Sequence, residues 1–497
     1  MIQPHRKTRL LYRHTSSATR CLALAALFVA PPAMAQDAPP ATDLPMPAPI
    51  VQPVPSAPLP HLSPAQANAL ALLLRKDIVA QGLADTESGE TLDNDSLVRA
   101  ALDHAHAVHA GRLAEADFDR NWAMRPAAYD PLPAFKDAVE HDRLAAWIAS
   151  LPPPYAGYDA LVTALARYRA IAAAGGWESL TAGADLTLGN TGARVSALRQ
   201  RLALEDPQVT PSGDRFDAAL VEAVRRAQRR YGLNPTGIAA AQTLAALNVP
   251  VDARLRQIKA NMERWRWLPP ELEKNRVQVN IAAAVLTLFD GDVPVMSMKA
   301  VTGRPGAETP MLTSQIHSIV LNPPWNVPST IAARELWPKE KAHPGYFARN
   351  GFRVIDTGDG GKRLQQASDH SALGKYKFDF ANPFAVYLHD TPAQAGFARF
   401  DRLASHGCVR LEKPGDLAKR LLDATPEWPA DTIDATVSEG KTVRAKLAAP
   451  VAVYLLYWTA FATANGQVSF RNDPYAWDGA LATKIAARSA RQALAAR

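Results

Sequence analysis

Cysteine is nearly missing from this chain: 497 residues contain two, Cys21 and Cys408. Cys21 sits in an N-terminal segment that reads as removable. The mature chain is then left with Cys408 alone, and a lone thiol excludes an internal disulfide framework. Long apolar runs are scarce as well. The ten-residue run Cys21–Ala30 is too short for a comfortable transmembrane helix, which needs about 20 residues. No P-loop, dinucleotide-binding glycine fingerprint, CxxC pair or H-E-x-x-H occurs, so nucleotide, redox and zinc-protease chemistry have no support. An excess of one charge sign is also absent once the leader is set aside. Residues 1–35 hold five Lys+Arg and no Asp+Glu, so 55 basic and 48 acidic residues become 50 and 48, and a formal charge of +7 becomes +2. The basic pI of about 9.3 therefore does not argue for nucleic-acid binding.

Arg6, Lys7, Arg9, Arg13 and Arg20 form a basic region before the apolar run, and Ala33-Met34-Ala35 fits a small-x-small cleavage site. Residues 1–35 are thus expected to be a signal peptide, cleaved or retained as an anchor, which implies export. Cys21 precedes the apolar run, so it does not suit a lipoprotein acceptor. Residues 36–64 are rich in proline and alanine, which oppose helix and sheet and make a semi-extended linker.

Helical periodicity begins at residue 65. Leu70, Leu73, Leu74 and Ile78 recur at helical spacing, as do Leu97, Ala101, Leu102 and Ala105, and residues 65–177 are expected to form an all-helical domain. Phe118, Trp122, Phe135 and Trp147 read as its core. His104, His106 and His109 stand about 200° and then about 300° apart around a helix, which argues against a shared metal face. Residues 184–250 form a second helical unit of three short helices, and 251–275 a linking helix ended by Pro269-Pro270. The period then drops from 3.6 to 2. Strands are expected at Arg276–Ile281, Val285–Phe289, Val293–Val301, Ile316–Leu321 and Phe384–Leu388, with a hairpin turn at Asp290-Gly291. Residues 276–480 are therefore expected to be mainly antiparallel β. Residues 326–380 interrupt them as a long insertion of helical and loop character, and an excursion of that size suits a lid. Val451–Trp458 and Gln467–Phe470 are expected to finish the sheet, and a helix over 481–497 to close the chain.

The chemistry concentrates around Cys408. The stretch reads Tyr387-Leu388-His389-Asp390, a connection, then Ser405-His406-Gly407-Cys408-Val409-Arg410. A free thiol has a pKa of roughly 8.5, and an imidazole nearby can take its proton so that the thiolate attacks a carbonyl. Gly407 permits close backbone approach and helps aim amide N–H groups at an oxyanion. Arg410 follows Cys408 by two, the same side of a strand, where a guanidinium can grip a carboxylate with paired hydrogen bonds. Two plainer readings compete. A lone cysteine is commonly a small buried apolar residue. His389, His406 and Cys408 supply three zinc ligands, but no fourth is evident.

His389, fifteen intervening residues and Ser405-His406-Gly407-Cys408-Val409-Arg410 resemble the signature of the L,D-transpeptidase (YkuD) family. Thr302-Gly303-Arg304, Thr309-Pro310 and Asn322-Pro323-Pro324-Trp325-Asn326-Val327-Pro328 extend the likeness. The resemblance implies a multidomain α+β protein. Its parts would be a helical N-terminal scaffold, a three-helix peptidoglycan-binding-like module and a mainly antiparallel β catalytic domain with a helical lid. In the module, Asn234-Pro235-Thr236-Gly237 departs from the Asp-Gly turn usual before the last helix. The implied activity is a periplasmic peptidoglycan L,D-transpeptidase that forms 3→3 crosslinks through a Cys408 thioester and releases D-Ala. By the resemblance His389 is the acid/base, His406 shapes the site, and the Gly407 and Cys408 amides donate to the oxyanion. Arg410, Trp325, Asn326 and Tyr387 are assigned to substrate binding, and the role of Asp390 stays open. No metal or cofactor is implied. The implied partners are tetrapeptide donor stems and diaminopimelate acceptors, with carbapenems as covalent inhibitors and no nucleic acid. Alternatives are an L,D-carboxypeptidase or endopeptidase, if water is the acceptor, and a lipoprotein-anchoring transferase. A non-catalytic wall-binding protein is disfavoured by the intact Cys/His/His/Arg set.

Overall fold

The computed structural model describes residues 58–85, 92–358, 360–462 and 467–495. The expected signal peptide and most of the Pro/Ala-rich linker lie outside the described residues. The N-terminal region is helical because its boundaries and faces are both encoded. Helix α1 (Pro64–Ala80) starts at a capping box in which Ser63 and Gln66 satisfy each other's backbone N–H groups, with Pro64 at the first turn. Helix α2 (Asn94–His109) is capped by Asp93 and turns Val98, Ala101 and Ala105 inward. With α3 (Leu132–Glu140) and α4 (Leu144–Ser150) these helices enclose a core of their own, in which Phe135 packs on Trp147 at 4.9 Å between centroids. His104 and His109 have local structural partners: His104 pairs with Asp77 at 2.7 Å and His109 stacks on Tyr129.

Helices α5 (Ala156–Ala173), α6 (Ala193–Ala203), α7 (Ala218–Arg230) and α8 (Ala241–Leu247) follow. Buried Gln228 on α7 ties α7 to α8 and the connection before it, accepting from Gly237 N–H and donating to Ile238 O and Thr243 Oγ1. Buried Glu205 anchors this unit to α5. It accepts from the Tyr168 hydroxyl on α5, from Tyr231 OH at 2.5 Å and from Arg201 at 2.8 Å. The two arginines and two phenols around it hold its carboxyl down at about 2 against the opposing effect of burial.

Helix α9 (Val251–Trp265), expected as a linker, is the axle of the molecule. It is buried on nearly every face, including Asn261, Glu263 and Arg264. Buried polar groups persist when paired. Glu263 accepts from the Arg112 amide and from Arg266, Arg264 meets Asp478 at 2.5 Å, and Asn261 bonds Thr459. Trp265 stacks on Trp458 at 4.4 Å, and Trp122 packs against both Trp267 and Trp477.

The strands are β1 (Asn275–Asn280), β2 (Val285–Asp290), β3 (Val293–Gly303), β4 (Leu312–Leu321), β5 (Trp325–Asn326), β6 (Phe352–Asp356), β7 (Lys362–Gln366), β8 (Tyr376–Phe380), β9 (Leu388–His389), β10 (Leu403–Ser405), β11 (Val409–Leu411), β12 (Val443–Leu456), β13 (Ala460–Ala462) and β14 (Val468–Phe470). The main sheet runs β10-β3-β11-β9-β8-β4-β12-β1-β2, and β2 also pairs with β3, so it closes on itself. Most pairings are antiparallel, while β1–β12, β10–β3 and β11–β9 are parallel.

Three expectations need correction. The insertion 326–380 is not simply helical. Short helical turns over Ser329–Ala342 and Tyr346–Arg349 lie between β5 and β6, and β5, β7 and β6 form an antiparallel sheet around Val327, Leu336, Phe347, Phe352 and Leu364, while the last residues, β8, belong to the main sheet. β7 reads Lys-Arg-Leu-Gln-Gln, with Leu364 its single apolar residue, so no alternating run signalled it. The expected terminal strands also behave differently. β12 begins eight residues early and lies inside the sheet between β4 and β1, whereas β14 pairs only with β13 in a separate ribbon. The expected strand Phe384–Leu388 shrinks to β9, because Ala385 adopts a positive φ and Asn382 bonds the Val386 amide and carbonyl.

Candidate active site

The register of the sheet builds the site. In the parallel pair β9–β11, Leu388 stands beside Val409 and His389 beside Arg410. Leu388 and Val409 are fully buried on the core face, which puts His389 and Arg410 together on the other. Tyr387, two residues before His389, shares that face, with its ring 5.6 Å from the imidazole. Cys408 enters from the turn ahead of β11. The thiol is approached by the hydroxyl and the backbone amide of Tyr387.

That turn is built around Gly407, whose φ of +117° favours glycine. The Ser405 hydroxyl donates to Cys408 O at 2.5 Å and accepts from Gly407 N–H at 3.1 Å. This departs from expectation: the Gly407 amide is engaged inside the turn, and Cys408 N–H is the amide of the pair without a partner among the described residues. Thr309, fully buried, supports the turn from behind. Its hydroxyl donates to Gly407 O at 2.7 Å and accepts from Gly303 N–H at 2.9 Å. Tyr475 completes the support, donating to Gly303 O at 2.5 Å and accepting from Thr309 N–H at 3.3 Å. A Cβ at Gly303 would lie 2.2 Å from Ala307 O, so only glycine fits there. Thr309 stood in the sequence motif without a role. Tyr475, far along the chain, had no sequence signal.

Charges at the site are set by burial. Burial and the neighbouring Arg410 charge depress His389 to about 3, outweighing the Asp390 and Leu373 carbonyls that favour the protonated ring. The imidazole is therefore neutral at pH 7. Its Nδ1–H donates to the Asp390 carbonyl, which leaves Nε2 as the basic atom. Burial pushes the Cys408 thiol up, opposed by Tyr387, Lys377 and Arg410. The resting pair thus favours thiol and neutral imidazole over the thiolate the sequence suggested. The Asp390 carboxylate accepts from the Lys375 and Thr391 amides, both at 2.7 Å, so the residue orients His389 through its backbone. Arg410 is half-buried, and its Nε has no hydrogen-bond partner.

The remaining motif residues are more dispersed. The His406 ring turns to the insertion, its Nε2 2.6 Å from Glu335 Oε1 and 3.0 Å from Arg304 Nη1. Nε2 either donates to Glu335 or accepts from Arg304, according to the tautomer. Trp325 touches the Tyr387 hydroxyl and packs near Phe352 in the insertion. Asn326 is exposed and accepts from Gln365 at 2.8 Å. Among the described residues no group of three His, Cys, Asp or Glu side chains could hold a metal ion.

A family profile described as the L,D-transpeptidase catalytic domain matches residues 274–434. Residues 274–434 are thus similar to the L,D-transpeptidase (YkuD) catalytic domain. Upstream of this stretch, residues 191–247 match a putative peptidoglycan binding domain and residues 56–165 a scaffold domain. A Haemophilus influenzae protein named putative L,D-transpeptidase is 32% identical over 239 residues, 45% of this chain and 48% of that protein. The chain thus spans about half the length of that relative. Among solved structures, an L,D-transpeptidase from Stackebrandtia nassauensis is 16% identical, covering 56% of this chain and 97% of its own, at a TM-score of 0.24. The ertapenem-acylated catalytic domain from E. faecium is 12% identical, covering 37% and 99%, at a TM-score of 0.19.

Proposed function

We propose that the protein is a peptidoglycan L,D-transpeptidase with Cys408 as nucleophile. The observation that supports this most is that Tyr387 meets both the Cys408 thiol and the His389 ring, with Arg410, whose Nε has no hydrogen-bond partner, beside His389 in the sheet. Arg410 binds a carboxylate of the donor stem, while Tyr387, Trp325 and Asn326 line its path. As the sulfur attacks the carbonyl before the terminal D-Ala, the thiol proton passes to His389 Nε2 and an S–C bond forms. Cys408 N–H donates to the oxyanion. The C–N bond breaks, His389 returns the proton to the departing D-Ala amine, and a thioester remains. An amine of a neighbouring stem, the diaminopimelate side chain, attacks the thioester, His389 takes its proton, and the crosslinked peptide leaves with the thiol restored.

The protein acts in the periplasm, delivered by residues 1–35, and the module at 191–247 keeps it on its polymer. His406 shapes the site by tethering the insertion, and carbapenems acylate Cys408. Incubation of mature protein with disaccharide tetrapeptides, read by mass spectrometry, tests the reading. A dimer lighter by one alanine supports transpeptidation. Alanine loss without a dimer points to hydrolysis, and unchanged turnover by Cys408→Ala removes the mechanism.

A further inference from the structure

The turn that carries the thiol is supported from a part of the chain that the chemistry above leaves unused. Between the helices of the N-terminal region a short non-helical segment pairs with the strand domain. Trp122 forms one parallel rung with Met311, in which Ala123 N–H donates to Met311 O and Met311 N–H donates to Asn121 O, both at 2.8 Å. Met311 is fully buried and follows Thr309 by two residues, and the ring of the intervening Pro310 fixes φ and stiffens the link. The rung is braced from its own side. Arg125, paired with Glu115 at 2.9 Å, donates to the Trp122 carbonyl and lies 4.2 Å over the Phe118 ring.

The Trp122 side chain reaches the same place by a second route. Its ring is fully buried between Trp267 and Trp477, at 6.0 and 6.1 Å between centroids, and its Nε1 makes no hydrogen bond among the described residues. Trp477, at the head of the C-terminal helix Trp477–Ala495, lies edge-on to Tyr475 at 4.9 Å. Tyr475 is the residue that accepts from Thr309 N–H and donates to Gly303 O. A backbone route through Met311 and a ring route through Trp477 and Tyr475 therefore converge on Thr309. Its hydroxyl holds Gly407 O, and with it the peptide unit that carries Cys408 N–H. Neither Trp122 nor Tyr475 lies in the stretch 274–434 matched by the catalytic profile, and Trp122 lies in the stretch 56–165 matched as a scaffold domain.

We infer that residues 121–123 clamp the nucleophile turn and that Trp122 is a positioning residue for the transfer reaction, acting through Thr309. A plain core tryptophan contributes stability alone. The clamp adds direction, because its hydrogen bonds fix where β4 starts, and close-packed rings transmit a displacement that no free volume absorbs. The inference rests on the proposed function for the role of Cys408 N–H.

The test uses full-length protein and two readouts. One needs no chemistry: hydrogen exchange of the Gly303, Thr309 and Gly407 amides, the three N–H groups bonded within the support. The other is the rate of carbapenem acylation divided by that of iodoacetamide alkylation, since only acylation passes through an oxyanion. Trp122→Leu should speed exchange at the three amides by about tenfold, as local opening becomes easier. It should lower the ratio by about threefold to tenfold, less than outright loss of an oxyanion donor, which costs roughly 10²–10³. Trp122→Phe removes no hydrogen bond, keeps a ring between Trp267 and Trp477, and should restore most of both. Phe135→Leu is the control: an equally buried ring in the separate core of α1–α4, it should lower the melting temperature and leave both readouts unmoved. Wild-type protein supplies a measurement that no fold defect touches. If the clamp favours an aimed amide, an acyl group seated against that amide favours the clamp, so the carbapenem adduct should slow exchange at Ala123 and Met311. Unchanged exchange there, readouts of Trp122→Leu equal to wild type, or equal losses in Phe135→Leu each overturn the inference, as does faster exchange with an unchanged ratio. If wild-type protein acylates and the Trp122 variants match it, the clamp falls and the proposed function stands. If wild-type protein is not acylated at all, the proposed function falls, and amide exchange in the Trp122 variants still decides whether the clamp holds the turn.

Discussion

Replacing Thr309 by valine removes one hydroxyl, keeps the side-chain shape and should disable the site without touching the thiol. That hydroxyl makes two bonds in a fully buried position, to Gly407 O at 2.7 Å and from Gly303 N–H at 2.9 Å. Each buried group left unpaired costs about 1–3 kcal/mol, so with two groups the variant should lose roughly 2–6 kcal/mol of stability. The catalytic effect follows from position. The Gly407 carbonyl belongs to the same peptide unit as Cys408 N–H, the proposed oxyanion donor. Deleting such a donor outright costs roughly 10²–10³ in rate, and misaiming it should cost about tenfold or more. Two reagents separate this effect from damage to the thiol. Acylation by a carbapenem passes through an oxyanion, whereas alkylation by iodoacetamide does not. Thr309→Val should slow carbapenem acylation by about tenfold or more while alkylation stays within about twofold, and Thr309→Ser should restore both. If folded Thr309→Val acylates at the wild-type rate, or if both reactions slow together, the hydroxyl does not aim the amide.

Three further outcomes are expected. His389→Gln should lower turnover by about 10²–10⁴. The wild-type ring, depressed to about 3, should show no NMR titration between pH 5 and 8; because it is neutral in the fold and an unfolded histidine protonates near 6.5, it makes stability fall as pH drops from about 6.5 toward 3. Arg410→Ala should raise KM for the tetrapeptide without lowering the melting temperature, since the Arg410 Nε it removes has no partner; a destabilised variant would mean the guanidinium is a structural group. Glu205→Ala should destabilise by roughly 3–5 kcal/mol, leaving two arginines and two phenols uncompensated. Its wild-type contribution is present above about pH 4.3 and drains as pH falls toward 2, measurable as a steeper acid loss of melting temperature than in the variant.

Much of this was legible from local pattern. Periodicity marks the helices, because an amphipathic face repeats within one segment, as Val98, Ala101 and Ala105 do. The alternation at Arg276–Ile281 and the Asp290-Gly291 turn place β1, β2 and β3 for the same reason. What escaped depends on distant partners. Residues 443–450 begin β12 with little apolar alternation, and the register with β4 makes that stretch a strand. Helix α9 looks like an ordinary amphipathic linker until Arg112, Thr459 and Asp478 arrive to pair its polar residues. The site divides in the same way. Cys408, His389, Gly407 and Arg410 are visible as a motif. Tyr475 and Glu335 act across long loops, and no spacing relates them to the thiol. The protonation states were also out of reach, because spacing suggests activation by a histidine while burial decides that both partners rest neutral.

The most direct measurement is the mass of the intact protein caught in mid-reaction. Wild-type protein mixed with disaccharide tetrapeptide and quenched in acid should gain the mass of the peptide less alanine. Digestion should place that adduct on the fragment holding Cys408, and Cys408→Ala should gain nothing. Crosslinked product forming without any covalent adduct, or an adduct that persists in Cys408→Ala, would contradict the account.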